Sequence, residues 1–243
     1  MATEILSGHK IDGTTITNLT GNIITLNLAN ANTWTALQTF KGGIASATTI
    51  PIVISNEQNV ATPSPFQQRI QIDNLSQFSN IASDLSNIYF SSDQAGQNKL
   101  YSWRESGTAP SQTVTWWVLL PNGIPANSQT TIYLQISNTN AIDGVYTGVA
   151  PNLTSTYGEY DNGANVFNYY TNFAGTSLPS GWSAYGPNSS DYSVNNGLTV
   201  GNSTGGGTNI GVAYTSPVTS PMIVDALVTS DAISGGSPHA GLM

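Results

Sequence analysis

Between residues 113 and 137 the chain carries two strand-length runs, TVTWWVLLP and TIYLQIS, with Asn122-Gly123 between them. In the second run Ile132, Leu134 and Ile136 fall on one face and Tyr133 and Gln135 on the other. That period of two is what a half-buried strand requires. β-Branched and aromatic residues fit a pleated surface, and Asn and Gly tolerate the positive φ of tight turns. The pattern recurs along the chain. RIQID at 69–73 alternates, NIYF at 87–90 is a short aromatic strand, and Asp143-Gly144 supplies another turn. In DYSVNNGLTVGN, Tyr192 and Val194 face Leu198 and Val200 across Asn196-Gly197, the clearest hairpin in the sequence. These signals predict an all-β protein with a β-sandwich at its centre.

Such a fold must be held by packing, because the 243 residues include no cysteine. Disulfides, thiolate metal sites and cysteine nucleophiles are excluded together. Only 7% of residues are charged, against about a quarter in a typical soluble domain. Solubility therefore rests on Asn, Gln, Ser, Thr and Gly, a neutral polar surface that keeps its properties when pH and salt change. That favours an extracellular or virion-surface protein over a cytosolic enzyme. The net charge is -8, and the basic residues Lys10, Lys41, Arg69, Lys99 and Arg104 are scattered. A phosphate backbone is displaced from its counterions by clustered cations, so nucleic acid is not an expected partner. No apolar run reaches the roughly 20 residues of a membrane-spanning helix. The opening MATEILSGHK lacks the basic-then-apolar layout of a signal peptide, which predicts synthesis and assembly in the cytoplasm.

The organisation reads as four stretches. Residues 1–60 are rich in Thr, Asn and Ile and form an extended N-terminal assembly segment with too little apolar surface to fold alone. ATPSPF follows, and its two prolines predict a linker at 61–65. The β-sandwich domain occupies 66–165. A third section, 166–243, contains VFNYYTNFAGTSLPSGW, the Asn196-Gly197 hairpin, NIGVAYTS and MIVDALVTS. It reaches HAGLM as another apolar stretch begins, which predicts further strands beyond residue 243.

Catalytic chemistry finds little purchase. His9 and His239 stand near the two ends and belong to no triad or metal spacing. Glu159, Asp161 and Asp191 lie near aromatics, as carbohydrate sites often do, but no motif fixes the pair that glycoside hydrolysis needs. Trp103-Arg104-Glu105 has two readings: a tryptophan, guanidinium and carboxylate binding a sugar face and its hydroxyls, or Trp103 packed in the sandwich with the charges in water. Trp116-Trp117 presents opposite faces of one strand, one to the core and one outward. Trp103, Arg104 and Trp116 are thus the candidate ligand-binding residues; no catalytic residue, metal or cofactor is expected.

Three resemblances bear on function. NTWTALQTFKGGI, 32–44, is similar to a phrase of virus tail-fibre and tail-spike proteins near the virion attachment end. It implies that Trp34 and Phe40 fill a small core at an assembly contact. The middle section resembles a domain of unknown function frequent in archaeal surface and archaeal-virus proteins. The matching residues are Arg69-Ile70, Asn87-Ile88-Tyr89-Phe90, Leu100 to Glu105, Trp117-Val118 with Pro121, Ile124 to Ser128 and Thr131 to Leu134. Leu119-Leu120 and Ser137-Asn138 depart from its pattern. Phe167, Phe173 and Trp182 before the hairpin resemble the opening of a concanavalin-like jelly roll, of which the first part would be present. The domain order is similar to the tail spikes of spindle-shaped archaeal viruses. These likenesses imply a homo-oligomeric virion tail protein, made in the host cytoplasm, bound to other tail proteins and displaying β-domains toward host-surface glycans or pili. An archaeal surface adhesin or filament subunit, and a carbohydrate-active enzyme fragment, are the alternatives.

Overall fold

The computed structural model describes residues 19–20, 23–24, 49–186, 191–201, 210–216 and 226. The chain divides into two compact units, Met1–Ala47 and Thr48–Met243. In the first, β1 (Leu19–Thr20) and β2 (Ile23–Ile24) pair antiparallel, Leu19 opposite Ile24. Trp34 and Phe40 lie outside the described residues.

In the second unit the strands are β3 (Thr49–Asn56), β4 (Phe66–Asp73), β5 (Ile88–Ser91), β6 (Ser102–Ser106), β7 (Thr113–Leu120), β8 (Ser128–Ile136) and β9 (Thr147–Val149). They form a three-stranded sheet, β3-β8-β5, and a four-stranded sheet, β4-β7-β6-β9. Every pairing is antiparallel except that of β6 with β9. Alternation aims Ile132, Leu134 and Ile136 of one sheet at Val114, Trp116, Val118 and Leu120 of the other, and all seven are buried. Phe90 meets Trp116 edge-on across the layers, ring centroids 5.7 Å apart. This is the expected β-sandwich core. Gln135, expected to face outward, is buried because its amide donates to Ser91 Oγ and to the carbonyls of Asp93 and Gln94.

The sandwich begins earlier than residue 66. β3 lies within the expected assembly segment, yet it pairs over eight residues with β8, and its Ile50, Ile52 and Ile54 pack on the core. Pro51 is tolerated because β3 is an edge strand. The 61–65 run connects the two sheets: Thr62 N–H donates to Ile124 O at 2.9 Å and Ser64 Oγ to Pro121 O at 2.9 Å. Asn122-Gly123 also carries the chain between sheets, from β7 to β8. Gly123 has φ 62°, and a Cβ there would lie 2.3 Å from the Pro63 carbonyl, so this turn and the proline run require each other's close approach.

The third section starts with a four-residue helix, α1 (Gly163–Val166), followed by β10 (Trp182–Tyr185), β11 (Tyr192–Val194), β12 (Leu198–Val200) and β13 (Gly211–Tyr214). β11 and β12 form the hairpin read from the sequence, with Tyr192 opposite Val200 and Val194 opposite Leu198. β10 pairs with β13. Among the described residues these are two separate two-stranded ribbons and close no barrel. The MIVDALVTS run and HAGLM fall outside the description, Ala226 excepted.

Candidate functional site

Strand β6, sequence SWRES, sends Trp103 to the outer face of the four-stranded sheet and Arg104 to the inner one, as adjacent strand residues must point. Among the described residues three buried side-chain atoms have no hydrogen-bond partner: Arg104 Nε on the inner face, Asn162 Oδ1 beside Gly148, and Thr147 Oγ1.

On the outer face the register aligns Arg69, Trp117, Trp103 and Gly148 across all four strands. Trp117 Nε1 donates to Glu105 Oε2 at 2.7 Å, and Arg69 Nε stands 4.0 Å from the same oxygen. Trp103 Nε1 donates to Asp161 Oδ1 at 2.8 Å. Asp161 also accepts the Tyr170 hydroxyl at 2.8 Å, the Asn172 amide at 2.6 Å and the Gly163 backbone N–H at 3.0 Å. Phe167 stands edge-on to both indoles, 5.5 Å from Trp103 and 5.6 Å from Trp117. The 161–172 segment is thereby clasped to the sheet, across the boundary that the sequence places at 165. Burial, and then the Asp161 charge, push the Tyr170 hydroxyl well above its ordinary value, so it stays a donor. Gly148 leaves room for Asn162, whose Oδ1 would lie 2.0 Å from an added Cβ and whose Nδ2 donates to the Ser102 and Val145 carbonyls.

On the inner face Arg104 is 5% exposed. Its Nη1 donates to the Asp84 carbonyl at 2.8 Å, while its buried Nε has no hydrogen-bond partner. Burial pulls its pKa down, and the Asp84 charge partly offsets this. Arginine nevertheless stays protonated in proteins. Hydrogen bonds from Ser86, with a smaller contribution from Arg104, hold the Asp84 carboxyl below its ordinary value. Arg104 lines a cleft of about 220 Å³, together with Asp84, Thr108, Ser155, Glu159 and Tyr160 among others. These come from the loops before β5, after β6 and after β9, brought to one end of the sandwich by the strand pairing.

The predicted ligand residues therefore separate. Arg104 lines the cleft, whereas Trp103 is packed against Phe167 and Tyr170 and bonded to Asp161. Trp116 is corrected to a core residue: at 3% exposure, edge-on to Phe90, it offers no face to a ligand. Its neighbour Trp117 is the outward one of the pair. Glu159 lines the cleft, Asp161 serves the outer face and Asp191 is buried ahead of β11. Asp84, Thr108 and Tyr160 were not foreseen, since loop residues scattered over nearly eighty positions leave no local signal. Among the described residues no group of three or more His, Asp or Glu is placed to hold a metal, and no helix is long and apolar enough to cross a membrane.

Over 125 residues, 51% of its length, the chain is 46% identical to a protein of Sulfolobus islandicus rod-shaped virus 1 described as "Uncharacterized protein 562". It is homologous to an archaeal-virus protein. The matched stretch spans 22% of that viral protein, whose virus is rod-shaped by name rather than spindle-shaped. No family model matches the chain, neither the domain of unknown function nor the jelly roll, and no solved structure matches it.

Proposed function

We propose that this chain is part of a virion structural protein, a tail spike or fibre that displays β-domains outward for adhesion to the host surface. The kinship with an archaeal-virus protein carries the reading. The neutral polar composition and the sandwich support it, because a chain with only 7% charged residues binds through hydroxyls, amides and aromatic faces rather than through ion pairs. Residues 1–47 are the assembly segment in this reading, with Trp34 and Phe40 at its contacts with tail proteins or further copies of the chain. Several copies make weak contacts strong: linked sites raise avidity by roughly 10²–10⁴ without any new contact. The activity is binding rather than catalysis, and the donors gathered on Asp161 support a structural use of that carboxylate.

The test is immunogold labelling of purified virions with an antibody raised against residues 48–243, alongside host-cell binding by the recombinant chain. Label at the virion ends and saturable binding to host cells are expected. Label confined to infected-cell cytoplasm would sink the virion reading, and hydrolysis of host glycans by the chain would sink the non-catalytic one.

A further inference from the structure

We propose that the Arg104 cleft is a binding site for one acidic sugar residue, its carboxylate held by the guanidinium. The biological use of the site rests on the adhesion reading; its chemistry rests on the cleft. Arg104 is a buried cation, and among the described residues no carboxylate lies within ion-pairing distance of it; the ion pairs there are Arg69–Glu105 and Lys99–Asp143. Burying a charge without a direct counterion is costly. Its one side-chain hydrogen bond runs from Nη1 to a neutral carbonyl, that of Asp84; Nε has no partner and is itself buried, so a carboxylate in the cleft would meet the outer guanidinium nitrogens. A carboxylate entering the cleft supplies the planar acceptor that a guanidinium fits best.

The remaining lining selects a sugar over a bare anion. Tyr160 is 36% exposed and offers a ring for the apolar face of a pyranose. Ser155 supplies a hydroxyl, the Thr108 oxygen can accept while its proton goes to Gln112 Oε1, and Glu159, already bonded by the Tyr160 hydroxyl, has further lone pairs for sugar hydroxyls. Asp84 and Glu159, with the net charge of -8, oppose a doubly charged phosphate more than a singly charged carboxylate. The volume of about 220 Å³ lies below the roughly 300 Å³ at which drug-sized pockets begin. One sugar residue fits, with the remainder of a glycan running outside.

The chain has two arginines, so a nitrogen-15 spectrum of the full chain has two side-chain Nε–H signals to follow, and an Arg69→Lys variant assigns them. Glucuronate, glucose and sulfate are titrated separately. Glucuronate is expected to shift the Arg104 signal saturably in the millimolar range, leaving the half-exposed Arg69 unmoved. Tyr160→Ala should raise the midpoint about tenfold with the amide spectrum otherwise kept. An Arg104 signal unmoved by glucuronate overturns the proposal, as does an equal shift by glucose. Sulfate shifting it at the same midpoint means an adventitious ion only and also overturns it. Glucuronate binding by a chain missing from virions leaves the site standing and rejects the adhesion reading; a virion-borne chain that ignores glucuronate does the reverse.

Discussion

Trp103 and Arg104 are neighbours on one strand, yet they serve opposite faces of one sheet in opposite ways. Outside, each indole N–H has a carboxylate acceptor, and Asp161 collects four donors from three stretches of chain. Inside, the guanidinium reaches one carbonyl and keeps a nitrogen unbonded. Asn162 Oδ1 beside the clasp and Thr147 Oγ1 are buried without partners too, but both are neutral, whereas the shortfall at Arg104 falls on a charged group, whose burial costs more. The outer face is the clasp of the fold, and the inner end is where a ligand gains.

The largest effect that sharpens this contrast is Asp161→Ala. It strands the donors of Trp103, Tyr170, Asn172 and Gly163, and hydrogen bonds to charged groups contribute roughly 1.5–3 kcal/mol each without simple additivity. A loss of about 3 kcal/mol in urea unfolding is expected, with faster proteolysis between 161 and 172. An unchanged midpoint would show that the clasp is idle.

Gly148→Ala comes next. The new methyl falls on Asn162 Oδ1 and forces that buried amide from the Ser102 and Val145 carbonyls, a cost of about 2 kcal/mol. Thermal unfolding measures it. Parent-like melting would mean that the segment yields rather than clasps.

Arg104→Met should move stability by about 1 kcal/mol or less in either direction, because an apolar replacement removes a buried charge along with its bond to Asp84. Chemical denaturation decides; a loss near that of Asp161→Ala would break the comparison and make Arg104 a structural tie.

The smallest effect is alkaline. The Tyr170 hydroxyl titrates above its unfolded value, so its contribution is complete below about pH 10 and is lost as pH rises through the folded value. Tyr170→Phe should lower stability at pH 7 and flatten the decline above pH 10; identical slopes for variant and parent would reject the raised Tyr170 value that burial and then Asp161 produce.

Strand identity was readable wherever one face is buried. The 192–200 hairpin and the Ile132, Leu134, Ile136 face follow from period and turn chemistry alone. Sheet membership was not readable. Asn122-Gly123 looks the same whether it closes a hairpin or crosses between layers, and the crossing is set by how Ile124 is buried and how Pro63 packs on Gly123. β3 escaped because Pro51 and the nearby linker prolines argue against a strand locally, while β8 supplies the pairing from eighty residues away. The cleft was half visible: Arg104 stood out for its company, but its lining is a property of loop ends that only the completed sandwich brings together.

Edge strand β3 starts at Thr49, the second residue of the unit that opens at Thr48. Any mechanical tension passing along the chain between the two units enters the sandwich at that residue. The eight pairings from Thr49 with Gln135 to Asn56 with Ser128 are therefore the first rungs to bear load. Forced rupture is governed by the rate at which such contacts open rather than by equilibrium stability. A pull applied at Thr49 would draw on the ladder between β3 and β8 before it reached the core behind it.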